Sequence, residues 1–162
     1  MITTDLTVAA IIEKDGRFLM VEEIANGIIV INQPAGHIEP GESPEQALIR
    51  EAFEETAWHV KPDQLLGTYL WHLEDGARRF LRIAFTASCE AFDPLAPLDE
   101  GILRAVWMSV DEICAAADRL RTPMVLRCIE DYLADPFPGR PLQHLEQFSD
   151  NIEAFLANAH RV

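Results

Sequence analysis

The sequence lacks any apolar run long enough to cross a membrane. Its first residues, M-I-T-T-D-L-T-V, also lack the basic start and the apolar core of a signal peptide. We therefore expect a cytoplasmic protein that has no membrane partner.

Cysteine is scarce as well. The 3 cysteines, Cys89, Cys114 and Cys128, are odd in number and show no C-x-x-C spacing, so neither a disulfide framework nor a zinc site is predicted. The 5 histidines show no zinc-ligand spacing either. A thiol nucleophile built from Cys89 and His72 is disfavoured, because nothing in the sequence activates the thiol. Free thiols in a reducing compartment are the expectation.

Positive charge is also in short supply. The chain has 13 Lys and Arg against 27 Asp and Glu, which gives a formal net charge of −14. No basic stripe exists to neutralise a nucleic-acid backbone, so nucleic-acid binding is excluded as a function. With 162 residues, 49% hydrophobic, and without a repeat or flexible linker, the chain is predicted to form a single domain over 1–162.

The hydrophobic pattern predicts strands followed by helices, typical of an α/β layer arrangement with a mixed sheet. The continuously apolar segment 28–32 is predicted to be a strand covered on both faces. The expected strands cover 6–13, 18–24, 28–32, 65–73, 79–89 and 102–108, and helices are expected after Ser43 and over about 110–120, 123–134 and 143–158.

The helix after Ser43 has a well-marked beginning. Ser43 is a good N-cap, Pro44 suits the first helical position, and Gln46 completes a capping box. A step of 100° per residue places one apolar side on the body of the protein, with the acids on the opposite side. The predicted apolar side consists of Ile49, Ala52, Phe53 and Ala57, with Leu48 at its border.

Three glutamates on this helix are predicted to lie close together. Glu51, Glu54 and Glu55 stand at i, i+3 and i+4, which share one helical face. Their mutual repulsion favours a bound cation, and hard oxygen ligands suit Mg²⁺ or Mn²⁺, which commonly hold a phosphate group. The alternative is a solvated face tied down by an Arg50–Glu54 pair, but the glycine and glutamate that precede the helix favour the metal site.

The whole stretch resembles the Nudix box. It reads Gly36, five residues, Glu42, seven residues, and then the Arg50-Glu51 and Glu54-Glu55 pairs. The glycine that the family carries near the end of the box is Ala57 here. Since alanine accepts positive φ less readily than glycine, this departure changes how the helix ends and affects no metal ligand.

The resemblance implies an α/β/α sandwich and a Mg²⁺-dependent hydrolase of phosphoanhydrides, in which Mn²⁺ can substitute. It implies that Glu51, Glu54 and Glu55 bind the metal together with the Gly36 carbonyl. It further implies that Arg50 orients a carboxylate and that Glu42 braces the junction between loop and helix. One carboxylate must also take a proton from water, and its identity differs between family members.

Further acids stand outside the box. Asp99 and Glu100 precede the strand that ends near Trp107, where members of the family often place an additional acid, although a solvated acidic turn is the equal alternative. Glu22 and Glu23 end the second strand, where alternation directs one inward or toward the site and the other to solvent.

Four polar residues are candidates for substrate contacts. Arg78 and Arg82 share a strand face and could hold terminal phosphate oxygens, whereas the alternative is a role in balancing the surface charge. Asn32 and Gln33 precede the box and could hydrogen-bond a base edge. Trp71 could stack on a base, or it could belong to the core.

Within the family, the segments V-E-E with N-G, N-Q-P-A-G-H, R-F-L-R and L-R-T-P are similar to small bacterial phosphatases. That resemblance implies hydrolysis of nucleoside tri- and diphosphates, and also of a hydroxymethylpyrimidine pyrophosphate, by a monomer or homodimer. The sequence marks of ADP-ribose, dinucleoside polyphosphate and NADH enzymes are missing. Two alternatives remain: a diphosphatase for ADP-ribose, a dinucleoside polyphosphate or another nucleoside diphosphate derivative, and a non-catalytic sensor.

Overall fold

The computed structural model describes residues 1–135, 143–145 and 156–157. The elements follow in chain order: β1 (Thr3–Ile11), β2 (Glu13–Lys14), β3 (Arg17–Ala25), β4 (Ile28–Asn32), β5 (Ala35–His37), α1 (Pro44–Thr56), β6 (Trp58–His72), β7 (Arg78–Phe92), β8 (Ile102–Ser109), α2 (Val110–Ala115), a 3-10 helix (Ala117–Arg119), α3 (Pro123–Ala134) and β9 (Gln143–Leu145).

Two sheets organise these strands. The first has the order β5-β1-β7-β6-β9 and is mixed, because β1 runs parallel to β7 and antiparallel to β5. In the second sheet β3 is central and pairs antiparallel with β2, β4 and β8. The parallel pairing of β1 with β7 brings residues more than 70 positions apart in the sequence side by side.

Helices cover the sheets from two sides. One apolar cluster joins Val8 and Ala10 of β1, and Ile12 just after its end, to Ala47, Leu48 and Ala52 of α1. Ile11 points the opposite way, into a second cluster that contains residues of α2 and α3. This confirms the predicted α/β sandwich with a mixed sheet.

The prediction that residues 28–32 form a strand is confirmed, but the prediction that both faces are covered is wrong. β4 lies at an edge of the second sheet, paired with β3, and its first residues Ile28 and Ile29 are 64% and 46% exposed. Only its last two residues, Ile31 and Asn32, are buried. An apolar run alone does not distinguish a central strand from an edge strand.

Three other predictions need correction. The helix expected over about 110–120 divides into α2 and the 3-10 helix. The strands expected at 65–73 and 79–89 are longer, because each is a 15-residue strand of one hairpin. The helix expected over about 143–158 is contradicted at 143–145, which form β9; residues 156–157 are helical, and the rest lie outside the described residues.

Within the described part of the chain, no helix combines the length and the apolarity that crossing a membrane requires.

Candidate active site

The ends of α1 are determined by local chemistry. The Ser43 hydroxyl accepts from the Gln46 backbone N–H at 3.1 Å, and the Gln46 side chain accepts from the Ser43 N–H at 2.9 Å, which confirms the predicted capping box. At the other end, Ala57 adopts φ 60°, and its N–H donates to the Phe53 carbonyl at 2.9 Å. The alanine therefore takes the left-handed conformation for which glycine is better suited.

The face that α1 buries is rotated from the predicted one. Ile49 was expected to face the core and is 40% exposed, whereas Glu55 was expected among exposed acids and is only 4% exposed. The buried apolar residues are Ala47, Leu48 and Ala52. Glu55 is buried because its Oε1 accepts from the Ala35 N–H at 2.8 Å, which connects the helix to β5.

Four glutamates, Glu42, Glu51, Glu54 and Glu55, form what we call the acid cluster, and Arg50 binds the first three of them. Its Nε and Nη2 donate to the two carboxylate oxygens of Glu42, at 2.6 and 3.0 Å. Its Nη1 donates to Glu51 at 2.9 Å and to Glu54 at 3.1 Å. A further bond from Nη2 reaches the carbonyl of His37 at 3.0 Å, so Arg50 holds the loop and the helix together.

These contacts and the burial set the acidities of the cluster. Hydrogen bonds from Arg50 lower the pKa of Glu42 to about 2. Burial raises the pKa of Glu51, despite the opposing effect of Arg50. Burial also raises the pKa of Glu55 well above its usual value, and the negative charges of Glu23, Glu51 and Asp99 act in the same direction. The site thus concentrates negative charge in a region with little water, which disfavours the ionised acids unless a cation is supplied.

Gly36 lies directly against Glu51. A Cβ added to Gly36 would lie well under 3.0 Å from the Glu51 carboxylate, so only glycine lets the backbone come this close to that side chain. A backbone carbonyl and several carboxylates are the oxygen ligands that Mg²⁺ and Mn²⁺ take, and the donors therefore fit such an ion in kind. Among the described residues, however, no three His, Cys, Asp or Glu side chains form a group that could hold a metal ion. The Arg50 guanidinium determines where Glu42, Glu51 and Glu54 point in this structure.

The loop that contains Asp99 contacts the same helix. The Asp99 backbone N–H donates to the Glu54 carbonyl at 2.9 Å. The negative charge of Asp99 also contributes to the raised pKa of Glu51, although burial contributes more. Of the two candidate acids on this loop, the structure places Asp99 beside the cluster, and among the described residues it shows no corresponding contact for Glu100.

Glu22 and Glu23 point in different directions at a register shift of β3. Glu22 pairs with Arg104 at 2.8 Å, whereas Glu23 pairs with Arg121 at 2.5 Å and lines a cavity near the box loop. The side chain that faces the site is therefore Glu23.

This cavity has a volume of about 440 Å³ and opens beside Gly36. Trp71 and Phe80 line it as a stacked pair with ring centroids 5.9 Å apart. Arg78 and Arg82 line it too, as expected from their shared strand face. The cavity thus combines aromatic surface and positive charge next to the acid cluster.

Arg82 is not a surface residue, so the charge-balancing interpretation is wrong for it. It is 3% exposed, and its Nη1 and Nη2 donate to Gln33 at 2.8 Å and Asn32 at 3.0 Å. The amide nitrogen of Gln33 donates in turn to the Val125 carbonyl at 2.7 Å. Gln33 is therefore bound on both sides inside the protein, and the structure gives it an internal role in place of the expected base contact.

Sequence reasoning missed His37 and Arg121, which line the cavity, and Asp5, which binds two of the lining residues. Asp5 hydrogen-bonds both His37 and Arg78 at the cavity rim. No local motif marks these residues, because β1, β5 and β7 bring Asp5, His37 and Arg78 together only in the folded sheet, and Arg121 reaches the cavity from the segment before α3.

The three cysteines are free. Burial raises the pKa of the Cys89 thiol, and it raises the pKa of Cys114 to about 11. The strand register places Cys89 opposite Val60 and His72 opposite Arg79, at opposite ends of the hairpin. A nucleophile formed by Cys89 and His72 is thereby excluded.

Comparison with known proteins decides the family. The model of the NUDIX domain matches residues 3–127. This chain belongs to the Nudix family. It is 37% identical over 132 residues to Phosphatase NudJ from Escherichia coli strain K12, which covers 82% of this chain and 85% of that protein.

Solved Nudix structures agree with the fold. A NUDIX hydrolase from Nitrosomonas europaea is 48% identical, with a TM-score of 0.81 over 84% of this chain and 93% of that one. A UDP-X diphosphatase has a TM-score of 0.68 at 18% identity, covering 90% of this chain and 68% of that one, and this likeness concerns the fold alone. The chain is therefore a Nudix hydrolase that acts on small phosphoanhydride compounds, and enzymes of this family generally use divalent metal ions.

Proposed function

We propose that this Nudix hydrolase cleaves the phosphoanhydride bonds of nucleoside tri- and diphosphates with the help of Mg²⁺, which Mn²⁺ can replace. The observation that carries the proposal is the adjacency of the acid cluster at Gly36 and the 440 Å³ cavity lined by Arg78, Arg82, Trp71 and Phe80. The similarity to a protein named as a phosphatase supports the same substrate class. The cytoplasm is the proposed location, in line with the free cysteines.

The residues that would hold the metal are Glu51, Glu54, Glu55 and the Gly36 carbonyl. When bound, such an ion supplies positive charge to the phosphate oxygens and makes water a better nucleophile. Arg50 orients Glu51 and Glu54 by direct bonds, and Glu42 holds the guanidinium of Arg50 in place. The partly buried hydrogen bond from the Ala35 N–H keeps the carboxylate of Glu55 beside the box loop.

The cavity accounts for the nucleotide part of the proposal. The stacked Trp71 and Phe80 present apolar surface against which a base can pack. Arg78 is half exposed, so its guanidinium can meet phosphate oxygens, whereas the buried Arg82 orients Asn32 at the cavity wall. The cavity thus offers positive charge to an anionic substrate beside the acids of α1.

Asp99 is proposed as the additional acid, because its loop binds the backbone of α1 at Glu54. A Nudix-fold sensor that has lost catalysis commonly lacks some of the box carboxylates, whereas this chain keeps all of them.

The test is a turnover panel with Mg²⁺ that scores phosphate and pyrophosphate release separately. It contains nucleoside tri- and diphosphates, hydroxymethylpyrimidine pyrophosphate, ADP-ribose and dinucleoside polyphosphates. Release of orthophosphate from the tri- and diphosphates is expected. Turnover confined to ADP-ribose or dinucleotides would refute the substrate class, and no turnover of any compound would favour the sensor.

Two variants connect the turnover to the site. Glu54→Gln keeps the size of the side chain and removes its charge, and we expect it to abolish turnover while leaving the fold intact. Glu45→Gln is the matched control, since Glu45 is an exposed acid in the first turn of the same helix. Full activity of Glu54→Gln would remove the metal-site assignment.

A further inference from the structure

Asp5 lies at the junction of three strands of the first sheet. It belongs to β1, which pairs with β5 on one side and with β7 on the other. The register sets Thr7 opposite His37 and Thr3 opposite Arg78, so Asp5 stands between His37 and Arg78 along the strand. Thr7, two residues further on the same face, lines the cavity together with His37 and Arg78.

Asp5 binds both neighbours with its side chain. Arg78 donates from Nε to Oδ2 at 2.5 Å and from Nη2 to Oδ1 at 2.9 Å. The Nε2 of His37 lies 2.8 Å from Oδ1. The side chain of Asp5 is only 15% exposed, whereas those of His37 and Arg78 are 59% and 49% exposed. One largely covered carboxylate therefore holds two exposed nitrogen-bearing side chains.

Arg78 retains donor capacity toward the cavity. The two bonds to Asp5 use the Nε and Nη2 of Arg78, and within the described residues its Nη1 makes no hydrogen bond. Arg78 also lies over the Phe80 ring, 5.1 Å from the centroid, which fixes the plane of the guanidinium against the cavity wall. His37 directly follows Gly36, and its own carbonyl is held by Arg50 at 3.0 Å.

We infer that Asp5 is a positioning residue that holds Arg78 as a donor at the rim of the cavity, where its guanidinium contacts the phosphate oxygens of the substrate that lie away from the acid cluster, and that the same carboxylate anchors His37 beside it. The inference rests on the proposed function, since that function supplies the phosphate groups. The box loop connects the acid cluster to the rim of the cavity: Gly36 lies against Glu51, and the next residue, His37, binds Asp5. Asp5 touches no substrate atom and acts through Arg78, whose guanidinium it orients.

The predicted signature of this role is a change in KM with little change in kcat. Donors that hold a part of the substrate distant from the broken bond stabilise the ground state and the transition state alike. We expect Asp5→Asn, which is nearly isosteric, to raise KM for a nucleoside triphosphate about tenfold, with kcat within about twofold of the wild type. Because the effect passes through Arg78, the combined Asp5→Asn and Arg78→Ala changes should raise KM by less than the product of the single effects.

Glu22→Gln is the matched control. Glu22 is bound by Arg104 through two bonds of 2.8 and 3.2 Å, an acid–arginine pair like that of Asp5, but it lies on the second sheet and does not line the cavity. Its removal should leave KM and kcat unchanged. Thermal midpoints of both variants show whether a loss of folding contributes.

The experiment measures kcat and KM of the wild type, the two single variants, the double variant and the control, together with calorimetric binding of inorganic pyrophosphate. The positioning role of Asp5 is supported if Asp5→Asn raises KM and weakens pyrophosphate binding while Glu22→Gln does neither. Equal behaviour of Asp5→Asn and Glu22→Gln would overturn it even when the wild type is fully active. If the wild type hydrolyses nothing, the proposed function fails, and pyrophosphate binding still decides whether Asp5 positions an anion site.

Discussion

Replacement of Gly36 by alanine tests the central contact of the site. The added Cβ would lie well under 3.0 Å from the Cδ and both carboxylate oxygens of Glu51, whereas an ordinary contact is about 3.5–4.0 Å. The Glu51 carboxylate must therefore move by about 1 Å or more. Displacement of a catalytic group by about 1 Å can cost about 10²-fold in rate, so we expect kcat/KM to fall by about that factor.

The assay for Gly36→Ala is the initial rate of phosphate release as a function of Mg²⁺, together with Mn²⁺ binding followed by electron paramagnetic resonance. Gly16→Ala provides the opposite control: Gly16 has φ 77° with no atom within 4 Å of an added Cβ, so alanine strains the backbone there without touching the site. We expect Gly16→Ala to lower the melting temperature and to keep kcat/KM. Wild-type rates and Mn²⁺ affinity in Gly36→Ala would refute the reasoning, because they would show that Glu51 need not lie where the structure places it.

Three further variants test the surroundings of the site. Arg50→Lys should lower kcat/KM by about 10–100-fold in the turnover assay, because one ammonium cannot replace a guanidinium that binds several acceptors, and an unchanged rate would contradict this. Arg82→Ala leaves two buried amides without their donor and should lower the free energy of unfolding in urea by about 2–4 kcal/mol, whereas Arg79→Ala, on the other strand face, should change it much less. The lowered pKa of Glu42 contributes stability above its unfolded pKa of 4.5, and this contribution is lost as the pH falls toward about 2. Thermal melts of Glu42→Gln should therefore depend less on pH than the wild type between about 4.5 and 2, and parallel curves would contradict the assignment.

The exchange of glycine for alanine at position 57 has a clear local consequence. Ala57 adopts the left-handed conformation in which the family carries glycine, so the backbone path of the helix exit is maintained by the surrounding bonds. The Ala57 N–H donates to Phe53, and its carbonyl accepts from the Asp93 N–H at 3.0 Å. These bonds hold the loop that leads to Asp99, so tertiary contacts offset the poorer conformational preference of alanine.

The sequence by itself determined the features that depend on neighbours within a few residues. The capping box, the spacing of Glu51, Glu54 and Glu55 and the family pattern all follow from contacts at i+3 and i+4, which the helix geometry dictates. Strand alternation likewise predicted that Arg78 and Arg82 face the same way, and both line the cavity.

Only the tertiary structure decided which polar groups are buried and which are paired across strands. Glu55 is buried because the Ala35 N–H, on the far side of the box loop, needs an acceptor. Arg82 is internal because Asn32 and Gln33 meet it, and Asp5 reaches Arg78 because β1 pairs in parallel with β7. Periodicity within one segment contains no information on the register between distant strands, which is set by how the whole sheet packs.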